Sequence, residues 1–373
     1  MTYVILGNGK TSQSCQSFFA SHQKPFVVVD DLESHSINKK ATYVVSPGIP
    51  YHHPLIQSLE SQGVQMMSDV DLFLEVCKKP LICVTGTNGK TTVVNLITAG
   101  LETYGLKVGL AGNIGKPVLD MLTEKDDVYV IELSSFQLYY TKNLTCDVGI
   151  LTNLTLDHQD WHLTFEHYLS SKLKLLKNSE VTSMGSDLSK YFLVDYVINS
   201  KIPIKKQNML FAESAIKGLG YKINQAAKDA MAQVVIPHRQ ESFDHQKVTW
   251  INDSKATNVS ATLAMLEAIE NDERQKYLIL GGKLKGQCDF IPLQKAIDEK
   301  KIKVIGYGSA LEALQSNFDL AYGHETFLNV MDWLKNIIHP TDVVILSPAC
   351  SSLDQFENFE KRGEAFKAYV KNI

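Results

Sequence analysis

Residues 81–93 constrain the fold more than any other part of the chain. The apolar run Leu81-Ile82-Cys83-Val84 feeds a turn, Gly86-Thr87-Asn88-Gly89, and Lys90-Thr91-Thr92-Val93 opens a helical pattern. A buried strand that runs through a glycine turn into a helix belongs at the carboxyl end of a parallel sheet. Gly86 and Gly89 let the backbone turn tightly, so that N–H groups can face an anion. The helix opening at Lys90 adds the positive end of its dipole. Lys90 offers a mobile charge for terminal phosphates, and Thr91 a hydroxyl for a divalent cation. Val84 stands where the general phosphate-loop pattern carries its first glycine. An ordinary strand-to-helix turn is therefore the competing reading.

The same rhythm extends along the chain. Short β-branched runs alternate with longer helical patterns, which predicts an α/β protein with largely parallel sheets. Strands are expected at residues 3–6, 26–29, 43–45, 81–84, 129–131, 148–151, 248–251, 277–280, 304–305 and 343–346. Between residues 179 and 216 the pattern weakens, and little is assigned there. Pattern changes divide the 373 residues into three domains, 1–79, 80–236 and 237–373. The net charge of −4 gives no bulk electrostatic case for a nucleic-acid partner. No run approaches the ~18 apolar residues of a membrane span, so no membrane insertion is expected. The six cysteines form no C-x-x-C pair, which argues against a zinc site and for free thiols in a reducing compartment. The amino terminus lacks the features of a secretion signal, and the expectation is a cytoplasmic protein.

Further polar clusters follow the strands. Glu132 closes an apolar run and could hold a metal or orient water; a structural carboxylate is the alternative. Asp157-His158 follows the next buried run. Lys172 shares a helical pattern with Lys174 and Lys177, and spacing alone favours a solvated basic face. In the last region, Asn252-Asp253-Ser254-Lys255-Ala256-Thr257-Asn258 ends a strand and opens a helix, with Asp253 or Ser254 as candidate cap. Gly281-Gly282-Lys283 and Ser347-Pro348-Ala349-Cys350-Ser351-Ser352 end two more strands. Three anion-friendly strand ends suggest a carboxylate- or phosphate-bearing ligand. At the amino terminus, Gly7-x-Gly9-x-x-Ser12, with Asp30 further on, is a broken dinucleotide fingerprint. Read alone it suggests a nicotinamide cofactor or another nucleotide.

Taken together these segments resemble the ATP-dependent Mur ligases of peptidoglycan synthesis. The loop at residues 86–92 marks the superfamily. The segments at residues 132–138, 252–258 and 347–356, with Asp157-His158 and Pro237-His238-Arg239, resemble its D-glutamate-adding branch. The resemblance implies three domains: a Rossmann-like N-terminal domain for a UDP-sugar, a central P-loop-type ATPase domain, and a C-terminal Rossmann-like domain for the amino acid. It implies that ATP activates the carboxylate of UDP-N-acetylmuramoyl-L-alanine and that D-glutamate attacks the acyl phosphate. A monomer is expected. The ATP contacts implied are Gly86, Thr87, Asn88, Gly89, Lys90, Thr91, Thr92, Val93, Asn224, Arg239 and Asp253. Thr91 and Glu132 would hold one Mg²⁺, and His158 with a carbamylated Lys172 a second. Asn113 would lie near the acyl substrate. Lys255, Thr257, Lys285, Ser352 and Phe359 would surround the amino acid, with Lys283 as rival to Lys285. Thr11, Ser46 and Gly48 would meet the uridine diphosphate.

Two other readings stay open at this point. One is a sister Mur ligase, or a folylpolyglutamate-type ligase, that takes another amino acid. The other is a nucleotide-binding switch whose glycine loops recognise without catalysing.

Overall fold

The computed structural model describes residues 2–373 apart from Ile114, Glu124, residues 270–272, Lys285 and Gln287; the side chain of Thr123 is also not described. The chain forms two compact units, Met1–Val234 and Val235–Ile373. Unit one holds two parallel sheets. Unit two holds one six-stranded sheet.

The first sheet of unit one has the order Phe26–Val29, Tyr3–Leu6, Thr42–Val45, Met66–Met67, all parallel. Thr42–Val45 is buried at every position, as expected of a strand covered on both faces. The second sheet has the order Tyr196–Ile198, Ser179–Gly185, Cys146–Leu151, Leu81–Thr85, Val128–Glu132, Val108–Gly112, again all parallel. Helix Lys90–Glu102 packs its Val93, Val94 and Ile97 under this sheet, against Phe211 and Ile216 of helix Ile204–Gly218. One apolar cluster joins the two sheets. It runs from Ile5 and Val44 through Phe73 to Leu81, Cys83 and Tyr129.

The sheet of unit two has the order Glu241–His245, Val248–Asn252, Val343–Ala349, Lys276–Gly281, Lys303–Tyr307, Leu320–His324. Only the first pair is antiparallel. Its core lies on both faces, with Leu278 and Ile345 on one side and Trp250, Ile279 and Phe366 on the other.

All ten expected strands are present. Among the described residues six others lie where the pattern is silent: Met66–Met67, Val108–Gly112, Ser179–Gly185, Tyr196–Ile198, Glu241–His245 and Leu320–His324. The helix after Asn252 is capped by neither Asp253 nor Ser254. Asn258 caps helix Val259–Ala268, its Oδ1 accepting from the Ala261 N–H. Asp253 is instead held inside the unit by Ser347.

Candidate active site

The central three strands of the second sheet place the site. Leu81–Thr85 lies between Cys146–Leu151 and Val128–Glu132. Their carboxyl ends bring the glycine turn, Glu132 and the segment leading to His158 to one edge.

Gly86 has φ +150°, and a Cβ there would fall 1.9 Å from Thr152 Oγ1. Only glycine fits. Gly89, at φ +84°, caps helix Lys90–Glu102. Val84 is a fully paired strand residue, opposite Glu132 and Ile150, and its carbonyl accepts from the Leu133 N–H. The turn therefore begins at Gly86, and no glycine is required at position 84. Asn153 locks the turn from the neighbouring strand end. Its carbonyl accepts from Thr87 N and its Oδ1 from Asn88 N. Lys90 curls back over the turn, Nζ donating to the Gly86 and Thr87 carbonyls at 2.8 and 2.9 Å.

Glu132 is buried, with one carboxylate oxygen accepting from Thr91 Oγ1 and the other from Asn113 Nδ2, each at 2.8 Å. Three residues named from separate segments thus meet at one carboxylate. Thr92 and Val93 lie in the first turn of the helix behind, Val93 in its core.

Lys172 is 2% exposed on helix Phe165–Lys177, so the solvated-face reading fails for it, whereas Lys177 is exposed. Its Nζ donates to the Gly86 carbonyl at 2.8 Å and lies 4.8 Å from the Tyr168 ring centre. Burial, and then repulsion from Lys90, pushes its pKa well down. The amine thus sits beside the phosphate-type turn with its charged form disfavoured. His158 adopts a left-handed backbone, φ +56°, and starts the short helix Gln159–His162. Its ring meets Phe136 edge-on at 4.8 Å, and its Nε2 is 3.8 Å from Asp157. Asn208 was not anticipated. It is buried on helix Ile204–Gly218, and its Oδ1 is the atom a Cβ on Gly89 would meet first, at 3.0 Å. The only available signal was its place inside a helix from a stretch that gave no clear pattern. Asn224 caps helix Gln225–Ala232, Oδ1 accepting from Ala227 N.

In the first sheet, Thr11 lies in the first turn of helix Lys10–Ser21. Ser46 stands against Gly7, and its buried Oγ has no hydrogen-bond partner among the described residues. Gly48 is exposed.

Unit two gathers a second group. Asp253 is buried, accepting from Ser347 Oγ at 2.7 Å and from Gln240 N at 3.2 Å. Burial raises its pKa to about 7, against the pull of Arg239. Lys255 Nζ stands 3.7 Å from the centre of the Phe359 ring. Thr257 lies just before the helix cap at Asn258. Ser352 is buried, and its carbonyl receives Phe356 N. Lys283 pairs with Ser351 backbone to backbone, tying the glycine turn to the Ser351-Ser352 loop. Lys285 falls outside the described residues. Behind these loops Arg362 is fully buried, its guanidinium donating to the Ser254 and Cys350 carbonyls and to Tyr307 Oη. No motif pointed to this arginine, whose sequence context is an ordinary charged helix.

The Mur ligase middle domain family matches residues 84–271, half of the chain, and its match begins at the loop strand. A UDP-N-acetylmuramoylalanine--D-glutamate ligase from Haemophilus influenzae (strain PittEE) is 33% identical over 422 residues, covering 97% of this chain and 96% of the relative. The chain belongs to the Mur ligase family. The ligase of the same name from Escherichia coli (strain K12) is 32% identical over 432 residues, covering 99% of this chain and 98% of that protein. Among solved structures, the MurF ligase from Thermotoga maritima in complex with ADP matches with a TM-score of 0.67 at 15% identity, covering 99% of this chain and 95% of that one. A Mycobacterium tuberculosis folylpolyglutamate synthase complexed with ADP and AMPPCP matches with a TM-score of 0.60 at 15% identity, over 78% of this chain. At that identity the structures speak to the fold alone. The α/β fold and the Mur ligase membership expected from the motifs are both borne out.

Proposed function

We propose that this Mur ligase adds D-glutamate to UDP-N-acetylmuramoyl-L-alanine at the expense of ATP, in peptidoglycan precursor synthesis. The carrying observation is near-full-length similarity to D-glutamate ligases, at 33% identity, on a chain whose glycine turn, Thr91, Glu132 and Asn113 converge. A carboxylate is a poor acyl donor. Its oxygen attacks the γ-phosphorus, the bond to the β,γ-bridging oxygen breaks, and ADP leaves. The amine of D-glutamate, having lost a proton, then attacks the acyl carbon, and inorganic phosphate departs.

The residues fit that work. The N–H groups of the turn and the start of helix Lys90–Glu102 cradle the phosphates. Lys90 swings from the turn carbonyls to the transferred phosphoryl group, offsetting charge that develops in the transition state. The donor set suits Mg²⁺: hydroxyl and carboxylate oxygens at Thr91 and Glu132, on an ion that keeps several waters and substrate phosphates. Among the described residues no group of three or more His, Cys, Asp or Glu side chains could hold a metal, so the protein's share would be small. When bound, the ion supplies electrostatic neutralisation between the anions. Lys172 is suited to carbamylation: burial disfavours its charged form, and the amine, once deprotonated, adds to carbon dioxide with loss of a proton. The carbamate would join His158 in holding a second ion. Asn208 joins Asn88 at the nucleotide loop. Arg239 and Asp253 are read as further ATP contacts. Lys255, Thr257, Ser352 and Phe359, with Lys285, bind the amino acid. Thr11, Ser46 and Gly48 meet the uridine diphosphate, where the unpartnered Ser46 Oγ would find an acceptor. Three functional domains, 1–79, 80–236 and 237–373, follow the three sheets. No helix among the described residues is long and apolar enough to cross a membrane. The reading is of a monomer working on small molecules in the cytoplasm.

An amino-acid panel tests it. With UDP-N-acetylmuramoyl-L-alanine and ATP, mass analysis is expected to find product with D-glutamate and none with L-alanine, L-lysine or L-glutamate. Preference for any of those three assigns the chain to a sister reaction.

A further inference from the structure

Trp161 sits between two parts of the site. Its indole Nε1 donates to the Pro47 carbonyl at 3.2 Å, inside Ser46-Pro47-Gly48. Its own backbone N–H donates to the His158 carbonyl at 3.1 Å. The ring is 4% exposed and stacks on Phe136 at 4.7 Å, 24° from parallel. Phe136 in turn meets His158 edge-on. One side chain therefore links the end of the first sheet to the segment that carries His158 in the second. Pro47 cannot drift without breaking that bond, and the flanking Ser46 holds its Oγ buried without a partner among the described residues. Tyr140 repeats the tether two residues on, Oη donating to the Ile49 carbonyl at 2.8 Å.

We infer that Trp161 is a positioning residue for the acyl substrate: through the Pro47 carbonyl it fixes the Ser46-Pro47-Gly48 loop at a set distance from His158. The uridine-diphosphate end of the substrate is gripped by that loop, and its carboxylate end must reach the phosphate turn. A loop held in register with His158 makes both contacts satisfiable at once. This inference rests on reading the first sheet as the uridine-diphosphate site.

The test is Trp161→Phe, which keeps an aromatic ring against Phe136 and removes the N–H. One neutral hydrogen bond is at stake. The KM for UDP-N-acetylmuramoyl-L-alanine, and its calorimetric Kd, should rise roughly two- to tenfold. The KM values for ATP and D-glutamate should stay within about twofold, an asymmetry that a general loss of packing would not give. Equal rises in all three, or no change for the UDP-substrate, overturn the inference. In the unmodified protein labelled with ¹⁵N-tryptophan, one of the three indole N–H resonances should shift when the UDP-substrate is added, and should be missing in the variant. Three indole resonances that stay in place also overturn it, even if the variant folds poorly. Failure of the wild-type protein to bind the UDP-substrate would sink the parent reading and this one together. Wild-type binding with an unaltered variant would sink this one alone.

Discussion

At the scale of single residues, Lys172 shows how far spacing can mislead. Its helix reads as a basic face, and Lys177 is exposed and Lys174 half-buried, yet Lys172 is buried against the Gly86 carbonyl. A buried ammonium costs several kcal/mol unless it is paired or neutral. This lysine has two oxygen acceptors, Gly86 O and Thr85 Oγ1, and a downward-shifted pKa. Lys172→Ala is expected to cut turnover by about 10²-fold or more, the scale of a lost electrostatic group. Added acetate or formate should restore part of the rate by supplying a carboxylate in the space left. Wild-type turnover in the variant would remove the carbamate from the account. Asp253 makes the opposite kind of prediction. Burial raises its folded pKa from 3.8 to about 7, so the folded state holds a proton that the unfolded chain has released between those values. Its contribution to stability is full below about pH 4 and is lost as pH rises through 7. Asp253→Asn should therefore gain stability relative to wild type on going from pH 5.5 to pH 8, while ATP binding weakens. A stability difference that does not change with pH would contradict this.

At the scale of elements, the sequence is most legible where a strand is buried on both faces. Leu81–Thr85 and Val343–Ala349 are unbroken buried runs, and their apolar residues mark both in the sequence. Two of the unexpected strands are of another kind. Glu241–His245 alternates half-buried with exposed residues at an edge, and Leu320–His324 is an edge strand with no fully buried position. Their pairing partners, not their own composition, make them strands. The glycine turn was legible because its chemistry is local; its support was not. Asn153, Thr152 and Asn208 reach the turn from 60 or more residues away in sequence. Gly86→Ala tests the turn as an element. With Thr152 Oγ1 at 1.9 Å and φ at +150°, the substitution should cost on the order of 2–4 kcal/mol. Thermal unfolding would show it, with ATP affinity falling in parallel. A variant of wild-type stability would mean that the turn can relax.

At the scale of the whole molecule, two compact units stand against three sheets. Sheets are visible in sequence as repeated strand–helix units, and three such groups are legible. The continuity of one apolar cluster from Ile5 to Tyr129 is a property of packing. It left no mark at residue 79, where no Gly/Ser-rich linker marks the junction. The proposed function assigns three substrates to this chain. That assignment is tested most directly by inorganic phosphate released from ATP in the presence of UDP-N-acetylmuramoyl-L-alanine, with and without D-glutamate. The account predicts sustained release only when D-glutamate is present, one phosphate for each peptide bond formed. Release at the same rate without D-glutamate, or none with all three substrates, would contradict it.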